Sequence, residues 1–217
     1  MLLDQTGLGE IALSPIGWSP QMILFRGLIP FTDQHRGLWA SRPDGSEVRQ
    51  IAVEEDFVGL PQFSPEGDRL ALPVSDLSAL PAGYGAGEPP ANIIRILDLR
   101  DGHQAVIGPS VARQTVAGLE WTSDGLAALV GKWDADRAIS AYRSAVVWSP
   151  AADGGGERVL LSTGASELSH LAACPDGSWL VAIQSGGDAQ IVRADEKSLT
   201  TIAVRHGPAL DWLACWQ

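Results

Sequence analysis

The chain has 217 residues, of which 45% are apolar, and 26 acidic against 15 basic side chains give a formal net charge of −11. That balance, with no Lys/Arg cluster anywhere, excludes nucleic-acid binding through phosphates and docking on an anionic membrane surface. The apolar content is too high for a disordered chain, and the acidity is read as serving solubility.

Taken in order, Met1-Leu2-Leu3-Asp4, a turn at Gln5-Thr6-Gly7 and Glu10-Ile11-Ala12-Leu13 read as a hairpin. No basic leader followed by an apolar run opens the chain. The uncharged stretch 11–25 holds Pro15 and Pro20, so no membrane span is expected. Trp18-Ser19-Pro20-Gln21 then turns into Met22-Ile23-Leu24-Phe25. The same device recurs at Phe63-Ser64-Pro65-Glu66-Gly67, at Trp121-Thr122-Ser123-Asp124-Gly125 and at Ala173-Cys174-Pro175-Asp176-Gly177. Each is followed by an apolar run, and Ala209-Leu210-Asp211-Trp212 begins a fifth. The anchors 18, 63, 121, 173 and 212 are spaced by 45, 58, 52 and 39 residues. Pro presets φ at the turn, and Asp-Gly or Glu-Gly supplies the residue that tolerates positive φ. A second hairpin follows in each unit, at Pro43-Asp44-Gly45, Arg100-Asp101-Gly102, Asp153-Gly154-Gly155-Gly156 and Asp195-Glu196-Lys197.

Each unit therefore reads as four short antiparallel strands, A to D, over roughly 40 to 50 residues, the period of a propeller blade. Runs such as Ile93-Ile94-Arg95-Ile96-Leu97 are apolar on both faces, as a sheet between two neighbours requires. The blades are predicted at 16–53, 58–108, 117–162 and 168–204 of one domain, 1–217. Residues 1–14 and 208–217 are left as closing strands of a thin fifth blade, or as ends of a fragment of a larger propeller. A closed ring predicts a monomer. Trp18, Trp121, Trp179 and Trp212 are expected in the packing between blades. Cys174 and Cys215 match no C-x-x-C or Cys/His zinc pattern and are expected as buried free thiols.

With these motifs in view, the chain resembles the TolB-like, WD-type β-propeller repeat, best at 63–72 and 173–183. That resemblance implies an all-β propeller. The family includes periplasmic interaction proteins, sensor ectodomains and propellers appended to peptidases, so the resemblance leaves function open. It suggests an exported protein, whereas a native start at Met1 favours the cytoplasm.

Strand alternation puts the A–B and C–D turns on one rim and the B–C and D–A loops on the other. The second rim carries the long loops 28–37, 54–59, 75–91, 109–118 and 132–142. Binding residues concentrate on loops held by a rigid scaffold. The candidates there are Asp33, His35, Arg36, Tyr84, Trp133, Asp134, Arg137, Tyr142, His170 and His206, in which exposed aromatic and Arg groups would anchor an interface. Trp133 also reads as a plug between blades. Loop 75–91, around Tyr84, reads as either functional or merely mobile. Asp134-x-Asp136 and Asp33-x-His35 each fall short of a metal site. No G-x-S-x-G or H-E-x-x-H occurs, and Gly125 with Gly131-Lys132-Trp133 has the wrong spacing for a phosphate loop. The expectation is a non-catalytic module that binds a protein or peptide, without cofactor or metal. The alternatives are an enzyme acting on a sugar or peptide through His35, His170 and His206, and a ligand-sensing propeller.

Overall fold

Pro-Asp-Gly and Ser-Pro turns fold successive apolar runs back on one another, and the outcome is a chain of meanders. The computed structural model describes residues 12–28, 35–52, 60–76, 78, 91–108, 114–122, 125–132, 141–148, 156–163, 166–185, 188–195, 198–206 and 215. Among them are four antiparallel sheets of four strands each, with neighbours in sequence paired throughout. Sheet I holds β1 (Ala12–Trp18), β2 (Ile23–Leu28), β3 (His35–Ser41) and β4 (Arg49–Ala52). Sheet II holds β5 (Gln62–Phe63), β6 (Arg69–Val74), β7 (Ile93–Asp98) and β8 (Gln104–Ile107). Sheet III holds β9 (Gln114–Thr122), β10 (Gly125–Lys132), β11 (Ala141–Trp148) and β12 (Glu157–Ser162). Sheet IV holds β13 (Glu167–Ala173), β14 (Trp179–Ser185), β15 (Asp188–Ala194) and β16 (Leu199–His206).

The first strand starts earlier than the sequence suggests. Ala12 and Leu13, read as part of a closing strand, already pair with Leu28 and Gly27, and a bulge between Pro15 and Gly17 carries the pairing past the proline. Pro73 is accommodated in β6 because β5 is short. Its two residues pair only with Ala71 and Leu70, so nothing on that side requires an N–H from Pro73.

The core lies between sheets. Leu24, Leu38 and Ala40 of sheet I meet Leu70, Leu72 and Leu97 of sheet II. Ala71 and Ile94 of sheet II meet Val116, Leu126 and Val146 of sheet III. Ala127, Leu129 and Val147 of sheet III meet Leu168, Leu171, Trp179 and Val181 of sheet IV. The strand carrying Ala127, Ala128 and Leu129 therefore buries alternate residues in opposite directions, which explains why it is apolar on both faces. The fourth strands form the perimeter, where Val106, Val159, Leu199 and Val204 are exposed.

A residue at the end of each first strand, or one short of it in β9, looks toward the preceding sheet. Phe63 joins the cluster of sheets I and II, Trp121 that of II and III, and Ala173 that of III and IV. Trp121 also donates its indole N–H to the Gln62 carbonyl at 3.1 Å, stitching sheet III to sheet II. Trp18 holds the same place in sheet I, whose preceding neighbour is not among the described residues, and it is 81% exposed. This corrects the expected burial of Trp18, while Trp179 is buried as expected and Trp212 lies outside the described residues.

The cysteines are also corrected. Cys174 and Cys215 form a disulfide with a Cα separation of 5.1 Å across 41 residues of sequence. Their spacing matches no motif because the bond is non-local: Cys174 begins the turn after β13, and Cys215 packs against its cluster.

The turns behave as their residues dictate. Gly45, Gly67, Gly102 and Gly177 all adopt positive φ. Gly67, at φ +72°, accepts its position for a second reason: a Cβ there would lie 2.6 Å from Gln21 Oε1 of the neighbouring turn. Gln21 is flexible and can withdraw, so the backbone term dominates. Gly67→Ala is expected to lower stability by about 1 kcal/mol in urea denaturation, with no rescue by a second change, Gln21→Ala.

Candidate functional site

The two rims differ in construction. On the A–B/C–D rim the backbone is tied down locally. Gly67 N–H donates to the Ser64 carbonyl at 2.8 Å, and Gly177 N–H to the Cys174 carbonyl at 3.0 Å. Asp44, Asp101 and Asp176 each accept the N–H two residues on, from Ser46, His103 and Ser178. The hydroxyls of Ser46 and Ser178 hold the carboxyls of Asp44 and Asp176 below the usual range. Arg100 holds Asp98 well below that range and also reaches Asp68 at 3.3 Å, while Arg193 pairs with Asp176. These charges are satisfied within a turn or between the two neighbouring turns of the same sheet.

The opposite rim has long connections with well-defined bases. At the base of loop 75–91, the Asn92 side chain accepts the Asp76 N–H at 2.6 Å and donates to the Asp76 carbonyl at 2.9 Å. The Asn92 N–H donates to Val74, and the Val116 N–H donates to the Ala91 carbonyl, so the loop's neck is tied to sheet III as well. Tyr84 itself lies outside the described residues. At the base of loop 132–142, Lys132 pairs with Ala141 in register. Trp133, Asp134 and Arg137 lie outside the described residues, as does Asp33.

Tyr142 is the candidate whose side chain is best defined. It pairs across Gly131, which pairs on its other side with Thr115. Gly131 places no side chain between Thr115 and Tyr142 in that register, and the Thr115 hydroxyl is buried without a hydrogen bond. Burial raises the Tyr142 phenol above its ordinary value. The ring packs on the cluster between sheets III and IV, with its carbon framework half-buried. A neutral phenol fixed in this way can give one hydrogen bond and an aromatic edge to a partner, but it is no base at neutral pH.

The backbone puts His35 and Arg36 at the start of β3 and His206 at the end of β16, on the same rim as Tyr142, and nothing is described of their side chains. His170 stands apart. It is the fourth residue of β13, in register with Ala182, on the face of sheet IV turned away from sheet III. Its Nδ1 is buried without a hydrogen bond. The structure therefore does not bring His170 onto the rim with Tyr142.

Sequence reasoning missed three residues. Asn92 gives itself away only as a single polar residue between apolar runs, and Thr115 carries no signal at all. Glu120 on β9 pairs with Ala127, which sets it on the face toward sheet IV, and burial alone pushes its carboxyl up to about 7. A carboxyl inside an apolar strand, Leu119-Glu120-Trp121, is the signal that could have been read. Glu120 sits at the tight-turn end of sheet III and Tyr142 at the other, so they do not form one site. Among the described residues, no three His, Cys, Asp or Glu side chains gather to hold a metal ion, and no helix is long and apolar enough to cross a membrane.

No family model matches the chain, and no curated protein matches it. Solved structures do. A prolyl endopeptidase shares 13% identity and a TM-score of 0.62, over 91% of this chain and 30% of its own. A puromycin-hydrolysing peptidase from Mycobacterium tuberculosis shares 17% and 0.60, over 94% and 32%. A protein from Agrobacterium tumefaciens described as TolB shares 10% and 0.56, over 86% and 62%. The chain thus spans about a third of the two peptidases and under two thirds of the TolB structure. These likenesses establish the fold: an all-β, TolB-like arrangement of propeller blades.

Proposed function

We propose that the protein is a non-catalytic propeller module that binds a protein or peptide partner through its B–C/D–A rim, and that its repeat is of the WD type. The observation that carries this reading is the contrast between the rims. One is closed by short, internally satisfied turns. The other presents Tyr142 on a rigid base, beside long loops whose necks are pinned by Asn92 and by the Lys132–Ala141 pair. The remaining candidates, Asp33, His35, Arg36, Tyr84, Trp133, Asp134, Arg137 and His206, belong to the same rim by strand direction. His170 is not needed. A disulfide persists in oxidising compartments, which supports the exported setting implied by the TolB-like resemblance.

The test is titration of the chain with a partner obtained by cross-linking, monitored by calorimetry. Tyr84→Ala, Trp133→Ala and Tyr142→Ala are each expected to weaken binding at least tenfold, as aromatic anchors do. His103→Ala, on the opposite rim, is expected to change it less than twofold. Unchanged affinity in all three aromatic variants would remove this face from consideration.

A second reading has one observation in its favour. The peptidases of similar fold are enzymes, and Glu120 titrates near neutrality, where a general acid or base works best. It predicts turnover of a peptide or glycoside that falls by at least a hundredfold in Glu120→Gln.

A further inference from the structure

The fourth strand of each sheet is its outer edge. An open edge invites pairing with another chain, and proteins blunt it by keeping it short or charged. Three of the four edges follow that rule. Strands β4 and β8 have four residues each, and β12 opens on Glu157 and Arg158. Strand β16 is neither short nor charged along its run. It has eight residues, and Leu199-Thr200-Thr201-Ile202-Ala203-Val204 carries no charge. All six are exposed, with Leu199, Ile202 and Val204 at 55%, 51% and 57%. Among the described residues, β16 pairs only with β15. A bulge leaves Ile202 out of that register, but the pairings of β4 and β12 shift in the same way, so the bulge does not set β16 apart.

This edge is also held ready. Seven residue pairs, from Asp188 with His206 to Ala194 with Leu199, tie β16 to β15. The Asp195 carboxylate accepts the Ser198 N–H and the Ser198 hydroxyl, each at 2.7 Å, and so fixes the turn that leads into the strand. An edge ordered in advance costs a partner little to bind.

Dimensions and charge select the occupant. Eight residues make an edge about 26 Å long, and contact over a sheet thickness of about 10 Å buries on the order of 500 Å² in total. Two folded proteins need roughly 1,200 Å² for a stable interface. Two copies of this chain would in addition each bring a charge of −11. An extended segment escapes both limits, because main-chain hydrogen bonds along the edge supply its affinity and alternate side chains its specificity. Opposite an uncharged run rich in β-branched residues, the matching segment is itself uncharged and β-branched. We propose that β16 is a second docking surface, which takes an extended, uncharged, β-branched segment of a partner protein as an added strand of sheet IV. The surface lies on the perimeter, apart from the loop rim, and is independent of which partner that rim takes.

The probe is a fluorescein-labelled octapeptide with six alternating Thr and Val residues between two lysines. It is titrated into the full chain by fluorescence anisotropy. Saturable binding is expected, and the same peptide with every backbone amide N-methylated is expected to bind at least tenfold more weakly. Methylation keeps the charge and adds apolar surface, so non-specific attraction would not fall. Ile202→Lys and Val204→Lys are each expected to weaken binding at least tenfold, and Val106→Lys on β8 less than twofold. The methylated peptide needs only the parent protein, so the test stands even where a variant fails to fold. Amide exchange in the complex is expected to slow at 199–206 and to stay unchanged at Lys132 and Tyr142. No binding up to millimolar peptide would overturn the proposal, as would equal or tighter binding of the methylated peptide. So would protection at the loop rim instead of β16, or a doubled mass of the peptide-free chain that Val204→Lys restores to that of a monomer, which would make a second copy the occupant.

Discussion

Trp179→Ala is expected to destabilise the protein by about 4 kcal/mol and to lower its melting temperature by roughly 10 °C. Trp179 is 1% exposed and stands between sheets III and IV, among Leu129, Val147 and Leu171. Its cross-strand neighbours on both sides are alanines, Ala173 and Ala194. The indole therefore fills the volume that those small residues leave, and backbone-constrained neighbours cannot collapse into the hole when it is removed. Trp179→Phe retains part of the packing and is expected to cost about half as much. Trp18→Ala is the matched control: with its side chain in water, it is expected to change stability by less than about 0.5 kcal/mol. Urea denaturation of the three variants decides the matter. Equal losses at positions 18 and 179 would contradict the assignment of the core to the spaces between successive sheets.

Glu120→Gln is expected to stabilise the protein at pH 8 by about 2 kcal/mol and to leave it nearly unchanged at pH 4. Burial holds the Glu120 carboxyl up to about 7, against 4.5 for the free side chain. Below pH 4.5 the folded and unfolded chains both carry the proton, and no penalty arises. Between pH 4.5 and 7 the unfolded chain releases it first, so stability falls as pH rises. Above pH 7 both states are ionised and the full penalty stands. At 1.36 kcal/mol per unit that penalty has an upper bound of about 3 kcal/mol, and residual solvent contact brings it to about 2. The glutamine has no proton to lose, so its profile between pH 4.5 and 7 is flatter than that of the parent. A parent and variant with parallel profiles would show that Glu120 is solvated.

The architecture was legible because blades are written in local chemistry. Pro65-Glu66-Gly67 and Pro175-Asp176-Gly177 demand turns with a positive φ, and both have one. Leu126 through Val130 is apolar at every position because neighbours on both sides bury it. What failed was non-local. The fate of Trp18 depends on a neighbouring sheet rather than on its own turn. The disulfide joins residues 41 positions apart, and no local motif marks it. At the candidate site, loops 75–91 and 132–142 were recognisable by length. Asn92, which braces the neck of the first, acts through a side-chain geometry that no spacing encodes. His170 reads as a rim residue in the sequence, but β13 begins at Glu167 and carries it into the sheet.

The central claim is that the loop-rich rim is the binding surface, and the most direct measurement is a hydrogen-exchange footprint of the chain with its cross-linked partner. Protection is expected around Asn92, at Gln114–Val116, and at Lys132 and Tyr142. The turns at Asp44, Asp101 and Asp176 should exchange as in the free chain. Protection centred on those tight turns, with Tyr142 and the neck at Asn92 unaffected, would contradict it.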